Sequence, residues 1–157
     1  MNEHSHHKET KAMTQLKLYG PAFSYFLRAA RIMCKAKGYD PDIGTAPLGE
    51  PIKPFSDEHQ NLHPWRKIPV LLHGDIVIPE SLAIAEYLDS LPSNTEYPLF
   101  PASRLQKAQC IALASMISQY VHQPVMKDFL FEFAFPKGPE GEVRLDVAKA
   151  HIPPAQK

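Results

Sequence analysis

Two short apolar runs separated by a tight turn constrain this chain more than any other feature of its sequence. Residues 68–72 read Ile-Pro-Val-Leu-Leu, and residues 76–78 read Ile-Val-Ile. Gly74-Asp75 lies between them, and such a pair is typical of the two-residue turns that join antiparallel strands. The pattern predicts a β-hairpin near the middle of the chain.

A helix is predicted directly after the hairpin. Pro79-Glu80 leads into Ser81, and an apolar residue then recurs every three positions, at Leu82, Ala85 and Leu88. This is the spacing of one face of a helix. Serine is a preferred N-cap residue because its hydroxyl oxygen accepts a free backbone N–H. We therefore expect Ser81 to cap this helix.

Upstream of the hairpin, the sequence predicts a strand and then an amphipathic helix. Apolar residues flank Lys17 from Leu16 to Tyr19, and Gly20-Pro21 ends this strand. From Tyr25 to Lys37 apolar residues recur at helical spacing, and the Gly that follows is a common helix end. The apolar positions of this helix are Phe26, Ala29, Ala30 and Met33.

Two segments rich in proline interrupt the regular pattern. Residues 39–64 contain seven Gly or Pro residues, so we expect mostly loop there, with one poorly defined strand or short helix. Residues 92–102 contain three prolines without periodicity. That composition predicts an interdomain linker.

A second, helical region follows the linker. Ser103 and Gln106 fit a capping box, and an apolar stripe then continues at helical spacing through Leu105, Ala108, Ala112, Met116 and Tyr120. The phenylalanines at 129, 131, 133 and 135 alternate as in a strand, but residues 126–133 also satisfy helical spacing, so periodicity leaves this segment open. A further helix is expected over 140–152.

Charge and composition exclude several function classes. The 157 residues carry 17 basic and 17 acidic side chains without a basic run, so neither nucleic acid nor an anionic membrane is an expected partner. No apolar stretch approaches the roughly 20 residues of a membrane span, and we expect a cytoplasmic protein. Cys34 and Cys110 form no CxxC pair, and no metal site is expected. Residues 1–14, with three histidines at 4, 6 and 7, are expected to be a disordered tail or a cloning remnant.

These segments together resemble the glutathione transferase family. The most specific match is Lys67-Ile68-Pro69-Val70-Leu71, followed ten residues later by Pro79-Glu80-Ser81 and its helix. The segments 16–20 and 24–32 match as well. The resemblance implies an α/β thioredoxin-like N-terminal domain over 15–91 and, after the linker, a partial all-α C-terminal domain over 103–157. Family members continue for several more helices, so we expect either a fragment or an abbreviated helical domain.

The resemblance also implies a binding site for glutathione as co-substrate. Pro69 is expected in the cis form, which turns the Ile68 backbone toward the peptide groups of glutathione. Glu80 would hold the ammonium group of the γ-glutamyl end, Ser81 and the helix start would hold its carboxylate, and Lys67 would lie beside the peptide. A metal is not part of this site.

Ser24 is the preferred catalytic residue, with Tyr19 as the alternative, because classes of the family differ in which of these positions supplies the hydroxyl. A free thiol has a pKa near 8.5, so a hydroxyl donor at a helix N-terminus would increase the reactive thiolate fraction. By the same resemblance, Phe129 and Phe133 are candidates for the hydrophobic substrate site, although phenylalanines in such a cluster are first of all expected in a core.

The resulting expectation is a homodimeric detoxification enzyme that conjugates glutathione to a small hydrophobic electrophile. The alternative is a noncatalytic transferase-like module used for binding or assembly. A thiol-disulfide oxidoreductase is disfavoured because no CxxC motif is present.

Overall fold

The computed structural model describes residues 15–93 and 95–150. The chain divides into two compact units, Met1–Pro101 and Ala102–Lys157. The tail expected over 1–14 and the end of the helix expected over 140–152 lie outside the described residues. Among the residues that are described, no helix is long and apolar enough to cross a membrane.

The first unit contains a mixed four-stranded sheet. Its strands are β1 (Leu16–Tyr19), β2 (Asp42–Gly44), β3 (Val70–His73) and β4 (Ile76–Pro79), in the order β2-β1-β3-β4. β1 runs parallel to β2 and antiparallel to β3, and β3 pairs with β4 as an antiparallel hairpin. The first strand and the hairpin are thus confirmed.

Three helices cover the two faces of this sheet: α1 (Tyr25–Ala36), α2 (Asp57–Leu62) and α3 (Ser81–Ser90). One buried cluster joins α1 and α3 to β1 and β3, through Leu16, Leu18, Leu27, Ala30, Cys34, Leu71, Ile84 and Leu88. A second cluster lies on the opposite face and joins Tyr19, Ile52, Leu62, Val70 and Leu72. This division follows from the period-2 alternation of side chains along a strand.

Two helix details differ from the sequence prediction. The buried residues of α1 are Leu27, Ala30 and Cys34, whereas Ala29 is exposed. The helix therefore packs on the sheet through a face that is rotated from the predicted one. The N-cap of α3 is Glu80 and not Ser81. Glu80 turns the chain with φ 71° and ψ 126° as it leaves β4, so Ser81 is already helical.

Residues 39–64 form both a strand and a helix, β2 and α2, where one such element was expected.

The segment expected to be a linker is bonded to the first unit over residues 92–101. Thr95 donates its hydroxyl to the Ala36 carbonyl at 2.6 Å, and Ser93 donates to the Lys37 carbonyl at 3.2 Å. Asp89, near the end of α3, accepts the Leu99 N–H at 2.8 Å and the ammonium of the buried Lys37 at 3.2 Å. These bonds attach the segment to the ends of α1 and α3.

The described part of the second unit is helical. It comprises α4 (Arg104–Met116), a π-helix (Ile117–Leu130), α5 (Phe131–Ala134), a 3₁₀ turn (Pro139–Gly141) and α6 (Leu145–Ala150). Ser103 caps α4 as predicted, accepting the Gln106 N–H at 3.5 Å. The segment 126–135, for which periodicity left strand and helix open, lies in the π-helix and α5 as far as Ala134 and is therefore helical. The predicted apolar stripe is not buried, since Leu105, Met116 and Tyr120 are exposed.

An ion pair joins two segments of the second unit. Glu132 is 5% exposed, and its carboxylate accepts the Nε and Nη2 groups of Arg144 at 2.8 and 2.7 Å. It also accepts the Arg144 backbone N–H at 3.2 Å. These hydrogen bonds lower the pKa of Glu132 to about 2.

Candidate functional site

Several of the predicted site residues lie at the same end of the sheet. Tyr19 of β1 pairs with Val70 of β3, which pairs in turn with Pro79 of β4. Three residues lie one step beyond this row: Gly20, Pro69 and Glu80. The turn after β1, the bend before β3 and the start of α3 therefore meet at one end of the sheet.

Ser24 lies at the N-terminus of α1. Its Oγ accepts the Leu27 N–H at 3.4 Å, so Ser24 is the N-cap. A hydroxyl oxygen that accepts a hydrogen bond can still donate its own proton. The first turn of α1 contains no acidic residue, so no carboxylate there offsets the positive end of the helix dipole. Ser24 thus combines a hydroxyl donor with a helix end that favours an anion.

Tyr19 occupies a different environment. It is 2% exposed, and its hydroxyl donates to the Ile52 carbonyl at 3.3 Å. Burial raises the pKa of this phenol. The hydroxyl of the alternative donor is therefore placed in the core and bonded to Ile52.

The Ile68–Pro69 peptide bond is cis, and Pro69 is buried. The turn after β1 packs closely against this bend. A Cβ on Gly20, whose φ is 142°, would lie 3.3 Å from the Ile68 Cβ and 2.7 Å from the Leu27 Cδ1. Glycine at position 20 is thus what permits the close approach. Lys67, just before the bend, has an exposed side chain.

Glu80 presents a carboxylate at the start of α3. Its side chain is 70% exposed, and its Oε1 lies 3.3 Å from the Nε2 of His63. A non-glycine residue at φ 71° is an unusual conformation that the surrounding structure must hold. Ser81 follows as the first helical residue and is half-buried. Beyond the N-cap Glu80, no acidic residue occupies the first turn of α3, and the free N–H groups of that turn can bind an anion.

The two aromatic candidates belong to the second unit. Phe129 lies in the π-helix and Phe133 in α5, and their rings form an edge-to-face pair with centroids 5.2 Å apart. Phe133 is 44% exposed and Phe129 is half-buried, so the expectation of a buried core position is wrong for this pair. A role with a hydrophobic substrate stays a prediction.

Two buried histidines beside the site did not emerge from the sequence. His59 and His63 are 3% and 2% exposed. His59 donates to the Lys67 carbonyl at 3.1 Å, and His63 contacts Glu80. Their spacing of four residues, on and just after a short helix, was the available signal. Among the described residues, no cluster of three or more His, Cys, Asp or Glu side chains could hold a metal ion.

Comparison with known proteins identifies the family. A family model described as "Glutathione S-transferase, N-terminal domain" matches residues 18–96. The chain belongs to the glutathione S-transferase family. The resemblance inferred from the hairpin and the Pro-Glu-Ser segment is thereby confirmed.

Relatives of the transferase family match both parts of the chain. Glutathione S-transferase 1 of Dianthus caryophyllus is 33% identical over 141 residues, which cover 88% of this chain and 60% of that protein. A probable glutathione transferase of Aplysia californica is 34% identical over 83 residues, covering 53% of this chain and 84% of the relative. The chain thus spans 60% of the length of the Dianthus transferase.

Solved transferases share the fold. A glutathione transferase homolog from Burkholderia gl BGR1, solved with bound glutathione, aligns with a TM-score of 0.56 and 26% identity. The alignment covers 71% of this chain and 60% of that one. The expected fold class, a thioredoxin-like α/β domain followed by a helical region, is therefore confirmed.

Proposed function

We propose that this chain binds glutathione at the end of the sheet and activates its thiol for conjugation to a hydrophobic electrophile. We name this region the sheet-end site and define it by Ser24, Lys67, Ile68-Pro69, Glu80 and Ser81. The observation that supports the proposal is that, in a transferase-family chain, the start of α3 with its exposed Glu80 carboxylate lies at the same end of the sheet as the bend at Pro69. Leu27 in the first turn of α1 and Ile68 both lie beside Gly20 at that end.

Each part of glutathione has a complementary group in this site. The peptide groups of the ligand would pair with the Ile68 backbone in the manner of an added strand. The γ-glutamyl carboxylate would bind Ser81 and the free N–H groups at the start of α3. The ammonium group beside it would bind the Glu80 carboxylate, a charge-assisted contact. Lys67 would lie beside the ligand peptide.

Ser24 would stabilise the thiolate. The hydroxyl proton remains available for donation while Oγ caps α1, and the helix dipole adds to the preference for S⁻ over SH. Tyr19 is the weaker candidate because its hydroxyl donates to Ile52 inside the core. A hydrogen bond to a charged group contributes about 1.5 to 3 kcal/mol.

A comparison of two serine N-caps tests this assignment. Ser24→Ala should raise the pKa of bound glutathione thiol by about 1 to 2 and slow conjugation about ten- to a hundredfold. Glutathione affinity should hold, because the neutral thiol needs the donor less than the thiolate does. Ser103→Ala removes a similar cap in the second unit and should leave the thiol pKa unchanged.

The measurements are the thiolate absorbance of bound glutathione against pH, and turnover of an activated aromatic chloride. If Tyr19→Phe abolishes turnover and Ser24→Ala spares it, the Ser24 assignment is wrong. If the unmodified chain binds glutathione without turning over any electrophile, the noncatalytic module is favoured. If it does not bind glutathione, the proposed function is wrong.

The remaining expectations belong to the same proposal. A homodimer is proposed on the resemblance alone, and sedimentation of the purified chain tests it. A cytoplasmic location and a detoxification role rest on the same basis.

A further inference from the structure

His63 is held rigidly beside the sheet-end site. Its side chain is 3% exposed, and it is the C-cap residue of α2, with its backbone N–H donating to the His59 carbonyl at 2.9 Å. Its carbonyl accepts the Arg66 N–H at 2.7 Å. Burial and backbone bonds on both sides leave the imidazole little freedom to move.

The two ring nitrogens of His63 have different partners. Nδ1 accepts the Trp65 backbone N–H at 3.1 Å, and Nε2 lies 3.3 Å from the Glu80 Oε1. A neutral imidazole with its proton on Nε2 satisfies both contacts, since Nδ1 must accept and a carboxylate oxygen can only accept. The backbone at Trp65 therefore orients the ring so that its Nε2–H side faces the Glu80 carboxylate, within ion-pair distance.

Glu80 needs such a partner. Its side chain is 70% exposed, and it makes no capping bond to its own helix. Among the described residues, His63 is the partner that the structure gives to this carboxylate. A glutamate side chain loses much rotamer freedom when it is fixed. A carboxylate that is already held by His63 would not incur that loss when a ligand binds.

We infer that His63 is a positioning residue that holds one oxygen of Glu80, leaving the other for the ammonium group of glutathione. The inference rests on the proposed function and adds a residue to it. His63 touches neither the ligand nor the thiol in this arrangement. Its effect reaches the ligand through Glu80, and it acts on the ammonium group alone.

A ligand without the ammonium group isolates this effect. The probes are glutathione and its deamino analogue, in which hydrogen replaces the ammonium of the γ-glutamyl end. Calorimetric titration of the full chain gives the ratio of the two affinities. His63→Asn retains an oxygen near the Nδ1 position to accept the Trp65 N–H but cannot reach Glu80. We expect it to weaken glutathione binding on the order of tenfold and to leave the analogue unchanged.

Two further variants separate positioning from folding. His63→Gln carries an N–H donor at about the reach of Nε2 and should restore most of the preference for glutathione. His73→Asn makes the same substitution at a histidine that contacts Tyr87, outside the sheet-end site, and should leave both affinities unchanged. A second measurement needs no variant: glutathione, but not the analogue, should shift the Nε2–H resonance of His63.

The outcomes are distinct. If His63→Asn weakens the binding of both ligands equally, so that the ratio of the two affinities is unchanged, the inference is wrong. Glutathione binding by the unmodified chain would still support the proposed function. A His63 resonance that responds equally to both ligands also overturns the inference. If the unmodified chain does not bind glutathione, the proposed function and the inference fail together, because Glu80 then has no ammonium group to receive.

Discussion

The Nε2 atom of His59 lies 3.1 Å from the carbonyl oxygen of Lys67, immediately before the bend at Pro69. The Nδ1 atom of the same ring accepts the Phe55 N–H at 3.2 Å. Through these two bonds the buried ring connects the loop before α2 with the segment that would face glutathione. Its proton is therefore assigned to Nε2.

Replacement of His59 should loosen the bend. His59→Leu removes the partner of the Phe55 N–H and of the Lys67 carbonyl. Because both bonds are only part-buried, the combined loss should be at the lower end of the about 1 to 3 kcal/mol that one buried unpaired group costs. We expect a lower free energy of unfolding and weaker glutathione binding, measured by urea denaturation and calorimetry. His73→Leu is the control, because its half-exposed site lets water replace the lost Tyr87 bond. Equal stability losses in the two variants would argue against this role.

Gly20→Ala should destabilise the first unit by more than its backbone conformation alone requires. A Cβ there would lie 2.7 Å from the Leu27 Cδ1 and 3.3 Å from the Ile68 Cβ. Gly49→Ala is the matched control, since Gly49 also has a positive φ but no atom within 4 Å of the added Cβ. We expect Gly20→Ala to lose about 1 to 3 kcal/mol more than the control in urea denaturation. Matching losses would mean that Leu27 and Ile68 give way easily.

The two thiols of the chain should differ sharply in reactivity. Cys34 is fully buried, and burial raises its pKa to about 12, so roughly one molecule in ten thousand carries the thiolate at pH 8. Cys110 is exposed. An aromatic disulfide reagent at pH 8 should therefore modify one thiol of the folded chain quickly and the other only on unfolding. Loss of the fast phase in Cys110→Ser identifies the residue, and two fast thiols in the folded chain would contradict the prediction.

The contribution of Glu132 to the free energy of unfolding should depend on pH. Its pKa in the folded chain is about 2, against an ordinary value of 4.5, because Arg144 donates to the ionised form. A lowered pKa means that this contribution is complete above about pH 4.5 and is lost as the pH falls toward 2. The stability difference between the unmodified chain and Glu132→Gln should shrink over that range.

Carbon-13 titration of the Glu132 carboxyl checks the same cause directly. We expect a midpoint near 2 in the unmodified chain and a midpoint closer to the ordinary value in Arg144→Gln. A midpoint that does not respond to loss of Arg144 would assign the lowered pKa to another source.

The elements that the sequence predicted correctly are those with local signals. The hairpin follows from two apolar runs around Gly74-Asp75, and α1 ends before a glycine whose φ is 82°. Ser103 caps α4 because a serine before an apolar helix satisfies a free N–H wherever the helix packs. Such features depend on neighbouring residues, so one sequence is enough to identify them.

The features that the sequence did not reveal depend on residues far apart in the chain. The cap of α3 lies one position earlier than predicted because the chain turns at Glu80, where β4 meets the helix. The buried face of α1 depends on how that helix packs on the sheet. Pro124 normally interrupts an α-helix, yet the chain continues past it as a π-helix. No local pattern distinguishes Ser24 from an ordinary cap, which is why its role stays a prediction.

The bonds to residues 92–101 attach this segment to the compact first unit. One carboxylate, Asp89, accepts both Lys37 and Leu99, so release of the proline-rich segment would also uncover the buried ammonium of Lys37. A proteolytic cut after Leu91 would remove Leu99 and the Thr95 bond to α1. The first compact unit therefore extends to Pro101 and includes most of the segment that was expected to be a linker over 92–102.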